Sequence, residues 1–401
     1  MIPYFTFFLF FGLSSIFDHL KTDELLVSVR RKTLWLGFFL IIFFVGFRYK
    51  IGSDWLTYMD IYVDTNPLSK LLVGDGLGFS YDYIEPGFKI LIGICRWMNM
   101  SFPVFTFVIA VFNTISAFCF LRANKIKNKF TLLALILILT TFLEFDILRQ
   151  SVAMHIVLFA FRNEKLKFYK VLLLTVLAMT FHNSAFIFFV YFIFQKLKPT
   201  KTKIAIITVF YFISLFITLP VITTILDVVS PLLGSSLSAV LYKAQSLVST
   251  SGFARTISFT SLLNLGFLVL LYLNISKLTL TQSEHNLLMM FLFYILLLTA
   301  FKEIQDVADR FSYYFNFGIA YMFCLLSDFV RLKERKVLVM LVPSLFILMR
   351  LTLHFMQEPI RLGQTPYRNY FFVEPSDEPA IKVRYDKMQS LKKQQNESQQ
   401  N

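Results

Sequence analysis

From Phe102 to Leu121 the chain runs FPVFTFVIAVFNTISAFCFL, twenty residues without a charge. As a helix rising 1.5 Å per residue, such a stretch spans about 30 Å, the thickness of the hydrocarbon core of a bilayer. Apolar stretches of similar character recur along the 401 residues, and the candidate spans are 3–17, 33–47, 102–121, 130–147, 149–161, 204–226, 258–276, 286–302, 310–329 and 337–356. Backbone groups in lipid must be satisfied within the protein, and these segments far exceed the roughly 10-residue alternating strands of a membrane barrel. A hydrophobic content of 56% against 16% charged residues also excludes an ordinary soluble domain, whose helices would be apolar on one face only. The expected fold class is all-α: a polytopic integral membrane helix bundle of about 10–12 transmembrane helices.

The net charge of +14 comes from short basic clusters between the apolar spans, not from one tract, so it points to cytoplasmic loops and not to nucleic acid. Cys95, Cys119 and Cys324 lie in or beside apolar spans without CxxC spacing and are expected to be buried free thiols. Residues 1–17 lack a basic leading region and a small-residue cleavage site, so they read as a retained first helix.

Five clusters carry about half of the 39 basic residues and should share the cytoplasmic side. They are Lys21 with Arg30, Arg31 and Lys32; Arg122 with Lys125, Lys127 and Lys129; Arg162 with Lys165, Lys167 and Lys170; Lys196 with Lys198, Lys201 and Lys203; and Arg331 with Lys333, Arg335 and Lys336. Two awkward segments then acquire a meaning. Residues 85–99 must re-enter from outside or lie at the interface, and residues 168–195 must form two short half-helices meeting near His182. Broken helices at membrane depth are tolerated where protein or a watery cavity surrounds them, which places a cavity at the outer side. The outer segments are 48–84, 227–257, 303–309 and, with its side left open, the tail from 357. The long 48–84 loop is functional by its length. The polar, low-complexity residues 373–401 are expected to be disordered.

Ionisable groups at membrane depth cost about 2.5–3.5 kcal/mol each, so a bundle that keeps them generally uses them. Five places share the expected outer side: Arg48, Asp54, Trp55 and Tyr58 in FRYKIGSDWLTY; Glu85 before Pro86 in YIEPGFKIL; Arg149 and Gln150 after Glu144 and Asp146 in EFDILRQSVAMH; His182 in FHNSAF; and Arg310, Tyr313 and Tyr314 in DVADRFSYY. Each also has an ordinary reading. Arg48 would be a snorkelling anchor, Glu144, Asp146 and Arg149 an interfacial ion pair, His182 a core histidine, and Arg310 a partner of Asp306 at i, i+4. Independent anchors should occur at both faces, however, and these five gather at one. His19, His155, His285 and His354 form no metal spacing, and GDGLG at 74–78 lacks the strand that a nucleotide fingerprint needs.

Arginines, carboxylates and a histidine in an outward cavity suit a lipid-linked diphosphate, since the guanidinium fork matches phosphate and stays charged when desolvated. A His or carboxylate could take the proton of an attacking sugar hydroxyl while the arginines stabilise the departing diphosphate.

FRYKIGSDWLTY resembles the F-R-x3-G-x-D-W-x2-Y signature of the EpsG-like branch of Wzy polysaccharide polymerases. YIEPGFKIL, LRQSVAM, FHNSAFIF, DRFSYYF and finally PYRNYFF at 366–372 follow in that family's order. The resemblance covers residues 1–372 and implies a single transmembrane polymerase domain in the bacterial cytoplasmic membrane. Its substrate would be an undecaprenyl-diphosphate-linked oligosaccharide, polymerised at the outer face to O-antigen, capsule or exopolysaccharide without cofactor or required metal. A chain-length regulator and a flippase of the same pathway are the expected partners. Box by box, the resemblance implies a site of Arg48, Asp54, Glu85, Arg149, His182 and Arg310, with Arg368 added.

Within it, Arg149 and Arg310 are expected at the diphosphate because both would begin helices. Arg48 would join them, aimed by Asp54, while Trp55 and Tyr58 offer flat surfaces to sugars. His182 leads as general base and Glu85 follows. A flippase for the same lipid-linked glycan is the main alternative, which an internal repeat would favour, and none is visible. A membrane acyltransferase using His182 would need a cytoplasmic donor cluster that the basic loops lack.

Overall fold

The protein is seen in a computed structural model that describes residues 1–18, 20, 24–72, 84–124, 128–162, 167–217, 224, 258–329 and 336–400. The 74–78 glycine segment, the 227–257 outer segment and several loop bases, among them Lys21, Lys125, Lys127, Lys165, Arg331, Lys333 and Arg335, lie outside the described residues. So does the side chain of Asp306. All regular structure among the described residues is helical, apart from one isolated bridge between Arg48 and Asn369. The chain is an all-α polytopic membrane protein.

In chain order the α-helices are α1 (Ile2–Ser14), α2 (Glu24–Gly46), α3 (Trp55–Asp64), α4 (Leu68–Leu72), α5 (Pro86–Trp97), α6 (Phe102–Ala123), α7 (Lys129–Asp146), α8 (Leu148–Leu158), α9 (Phe168–Met179), α10 (Ile187–Phe194) and α11 (Lys201–Phe216). They continue with α12 (Phe259–Asn274), α13 (Gln282–Ala300), α14 (Gln305–Tyr313), α15 (Asn316–Phe329), α16 (Lys336–Met356), α17 (Glu358–Gln364) and α18 (Glu378–Gln400). Phe102–Ala123, Phe259–Lys277 and Gln282–Ala300 are each long and apolar enough to cross a membrane, and several apolar helices of 10–17 residues accompany them.

Local sequence explains where many of these begin. Proline in the first turn starts α5 at Pro86 and α6 at Phe102-Pro103, because its missing N–H would have no helical partner there. Thr281 and Glu284 form a reciprocal capping box at the head of α13. Asp18 accepts the N–H groups of Phe130 and Thr131 at 3.2 and 2.8 Å, closing the start of α7 from another part of the chain.

The chain divides into two compact units, Met1–Phe189 with Leu326–Gln394, and Val190–Leu325 with Gln395–Asn401. In the first unit α1 packs on α7 and α16, α2 on α6, α6 on α8, and α8 on α9. In the second, α11 packs on α12 and α13, and α13 on α14.

Four expectations change in shape. The 33–47 span belongs to a helix that starts at Glu24, since Arg30, Arg31 and Lys32 are good helix formers and hydropathy marks only the apolar part. The 48–84 segment, expected as a loop, folds into α3 and α4 over its described part; Trp55, Tyr58, Ile61 and Tyr62 recur at helical spacing and are all buried. The 310–329 span is two helices, α14 and α15, separated at Tyr314 and Phe315. In the tail, expected as disordered, the structure has the helix α18, in which Ile381, Tyr385 and Met388 form a buried stripe at i, i+4 and i+7. Low complexity hid that stripe, because three apolar residues among many polar ones lower mean hydropathy without destroying its period.

The 168–195 segment is broken as its charge context required. α9 ends at Met179, a turn follows, and His182 leads into a 3-10 turn, Asn183–Phe186, before α10.

Candidate functional site

The first unit brings residues of four of the five polar boxes together at the head of α8. Arg149, the second residue of that helix, places Nη1 2.5 Å from Glu85 Oε2. The other carboxylate oxygen, Glu85 Oε1, accepts the Asn183 N–H at 3.2 Å. Tyr58 on α3 also hydrogen-bonds Arg149. Burial pushes the Tyr58 hydroxyl up from its ordinary pKa, against the opposing pull of the Arg149 charge.

The chain builds this junction through close backbone contact. Gly87 donates its N–H to the Thr180 carbonyl at 2.7 Å, and a Cβ at Gly87 would stand 2.8 Å from that oxygen and 2.9 Å from Thr180 Cβ. Only glycine lets the start of α5 sit on the helix break, and that seating delivers Glu85 to Asn183 and Arg149. The Arg149 and Glu85 side chains retain 19% and 7% exposure, so the pair is largely enclosed with the arginine open along one edge.

His182 caps the 3-10 turn. Its Nδ1 accepts the Ser184 N–H at 3.4 Å and lies 2.6 Å from Ser184 Oγ. An imidazole accepting at Nδ1 carries its proton on Nε2, so the ring so assigned is a donor at its other nitrogen. In this arrangement Nδ1 is engaged with the backbone and hydroxyl of Ser184, within its own turn.

Arg48 is enclosed among backbone carbonyls. It is 1% exposed and donates Nη1 to the Val45 carbonyl at 2.7 Å and Nη2 to the Glu144 and Phe145 carbonyls at 3.2 and 3.4 Å. Those oxygens belong to the last turns of α2 and α7, which end without helical partners. Burial pulls the guanidinium down to about 10, with Asp146 and then Glu144 opposing, so it is still charged at neutral pH. The expected Arg48–Asp54 partnership is not what forms. Asp54 Oδ1 accepts from Ser53 Oγ at 3.1 Å, and Ser53 in turn donates to Asp146 Oδ1 through Oγ at 3.0 Å and through its N–H. Gly52, at φ +105°, makes the turn possible, since a Cβ there would meet the Phe145 carbonyl at 2.7 Å.

Trp55 and Tyr58 are buried and offer no open ring face to a sugar. Trp55 packs edge-on against Tyr49 and Phe102, and Tyr58 against Phe88. Gln150 is likewise buried. The terminal PYRNYFF box meets the opening box directly: the Tyr49 N–H donates to the Arg368 carbonyl at 3.0 Å and the Tyr370 N–H to the Phe47 carbonyl at 2.7 Å. Arg368 Nη2 stands 3.9 Å from Asp377 Oδ1.

Arg310, Tyr313 and Tyr314 belong to the second unit. Arg310 sits in the last turn of α14 and not at a helix start, which removes the helix-dipole reason for an anion there. It is exposed and Tyr313 half-buried, whereas Tyr314 lies beyond the helix and is 1% exposed, so the three do not form one open face.

A buried polar cluster escaped the sequence reading. Asn113 Nδ2 on α6 donates to Glu144 Oε2 and lies equally 3.2 Å from Ser151 Oγ, while His155 Nε2 stands 3.6 Å from Glu144 Oε1. Glu144 therefore looks inward to α6 and α8, not to Arg149. The signal was present as Asn113 within a span otherwise free of amides and charges, but spacing alone could not identify its partners.

Comparison with curated proteins gives no match, and comparison with solved structures gives none. The family model of the EpsG family matches residues 33–370, which reach from the span before Arg48 to Tyr370, the second tyrosine of PYRNYFF. A match over most of the chain, together with the junction of its ordered boxes at α8, places this chain in the EpsG family, whose members are Wzy-like polysaccharide polymerases.

Proposed function

We propose that the chain polymerises polyprenyl-diphosphate-linked oligosaccharide units, with undecaprenyl diphosphate as carrier, at the outer face of the cytoplasmic membrane. The observation that supports this most is the Arg149–Glu85 pair at the head of α8, seated beside the 180–183 helix break. The helix start adds partial positive charge to that of the guanidinium, and both favour a phosphate. The distribution of basic loops supports the outer location of this end of the bundle.

The pair suggests how binding and proton transfer are linked. In the resting protein Glu85 neutralises Arg149; an incoming diphosphate offers Arg149 a second, bidentate acceptor and loosens its hold on Glu85. Glu85 then accepts the proton of the attacking hydroxyl. That hydroxyl oxygen bonds to the anomeric carbon of the growing chain, the bond from that carbon to the diphosphate oxygen breaks, and the lipid diphosphate leaves with the electron pair, stabilised by Arg149. His182 Nε2–H serves as a further donor to the phosphate oxygens. Arg310 and Arg368 are additional candidates for binding the glycan-lipid, and no cofactor enters the step.

The test is purified protein in nanodiscs supplied with lipid-linked repeat units alone. A ladder of longer glycans is expected. Movement of the unit between leaflets without any ladder would instead favour the flippase reading.

A further inference from the structure

Between α3 and the tail helix α18 lies a cavity of about 540 Å³, within the range of small-ligand pockets. Leu56, Pro379, Ile381 and the Tyr385 ring give it an apolar floor. Lys50, Glu378, Lys382 and Asp386 give it a charged rim, two cations and two anions. The rim is anchored: Lys50 and Tyr49 both bond the Glu378 carboxylate, and the Tyr385 hydroxyl donates to the Ser53 carbonyl.

This composition selects among ligands. A diphosphate would require net positive charge, and a lipid chain would take water from the four rim charges while offering them no hydrogen-bonding partner of its own. A carbohydrate suits both surfaces. Its hydroxyls donate to Glu378 and Asp386 and accept from Lys50 and Lys382, while its C–H face lies on Leu56 and the Tyr385 ring. Glu378, Lys382 and Asp386 also follow one another at i, i+4 and i+8, a common self-pairing ladder on exposed helices. A ladder alone, however, needs neither the recess nor the apolar floor beside it.

Position adds a distance. Leu56 lines the cavity and Tyr58 meets Arg149, and residues two apart project from nearly opposite sides of a helix. The cavity and Arg149 are therefore separated by about one helix diameter, ~10–12 Å with side chains. We propose that the cavity is a carbohydrate subsite that holds sugars of the glycan some units away from the reacting carbon. The sugar-binding chemistry stands on the cavity itself; its place in the reaction rests on the polymerase reading.

The experiment uses full-length protein in nanodiscs. The probe is the mixture of reducing oligosaccharides released by mild acid from the lipid-linked units of the producing cells. Saturation-transfer NMR should detect their binding to the unaltered protein. Leu56→Trp, which fills the cavity, should weaken binding at least tenfold, and Lys382→Ala with Asp386→Ala, at exposed positions, should do the same where Leu56→Trp does not fold. Absence of binding to the unaltered protein, or undiminished binding to the folded variants, overturns the subsite. Glycan binding without ladder formation would overturn the polymerase reading and leave the subsite standing; a ladder without oligosaccharide binding would do the reverse.

Discussion

Arg48 and Arg149 both stand at the end of an apolar stretch, and their surroundings give them different work. Arg48 serves the carbonyls of Val45, Glu144 and Phe145 from a position closed to solvent, whereas Arg149 faces a carboxylate and keeps an open edge. Replacing Arg48 by Ala strands these helix-end acceptors, so a loss of about 3 kcal/mol in stability is expected, read as a lower unfolding temperature in detergent. Arg149→Lys should behave oppositely. It keeps the charge but loses the fork, so folding should be near normal while ladder formation falls by roughly 10²–10³-fold. Equal stability losses with unchanged activity in both would remove the distinction.

At the scale of elements, two junctions hold the site end together. The first is α5 on the 180–183 break, where Gly87 leaves no room for a methyl group. Gly87→Ala should cost about 1–3 kcal/mol and move Glu85 away from Asn183, lowering turnover more than substrate affinity; kinetic assays that separate kcat from KM check this. The second junction is α18 on the 49–56 segment. Hydrogen bonds from Lys50 and then Tyr49 hold the Glu378 carboxyl below its usual pKa. A depressed folded value means that this contribution is complete above the unfolded carboxylate pKa of about 4.3 and is lost as pH falls through the folded value. Pepsin cleavage of α18 should therefore rise as pH drops below about 4, and Glu378→Gln should make the tail equally susceptible at higher pH.

For the whole molecule, Lys382 on α18 and Arg31 belong to the same compact unit, and because Glu378 and Tyr385 of that helix bond the 49–53 segment, the proposed outer location of the site would put the two on opposite sides of the membrane. Single cysteines replacing Lys382 and Arg31, both exposed, test this in a background lacking Cys95, Cys119 and Cys324. An impermeant maleimide applied to intact cells with a permeabilised outer barrier should label the Lys382→Cys protein and leave the Arg31→Cys protein unlabelled. The reverse pattern would place the proposed site at the cytoplasmic face.

The all-α membrane class and the helix break at His182 were legible because both follow from properties that residues carry individually: transfer cost from water, charge, and the geometry of their immediate neighbours in the chain. The order of the polar boxes was legible for the same reason. The choice of partner was not. Glu144 turned to Asn113 and His155, Glu85 to Arg149, Arg48 to three carbonyls, and Tyr385 of the tail's sparse apolar stripe to the Ser53 carbonyl. The sequence by itself determined which segments prefer lipid and which polar groups would need company. Only the tertiary structure decided that company, because a buried charge is satisfied by whatever donor or acceptor packing brings within about 3 Å, and residues distant in the chain supply it.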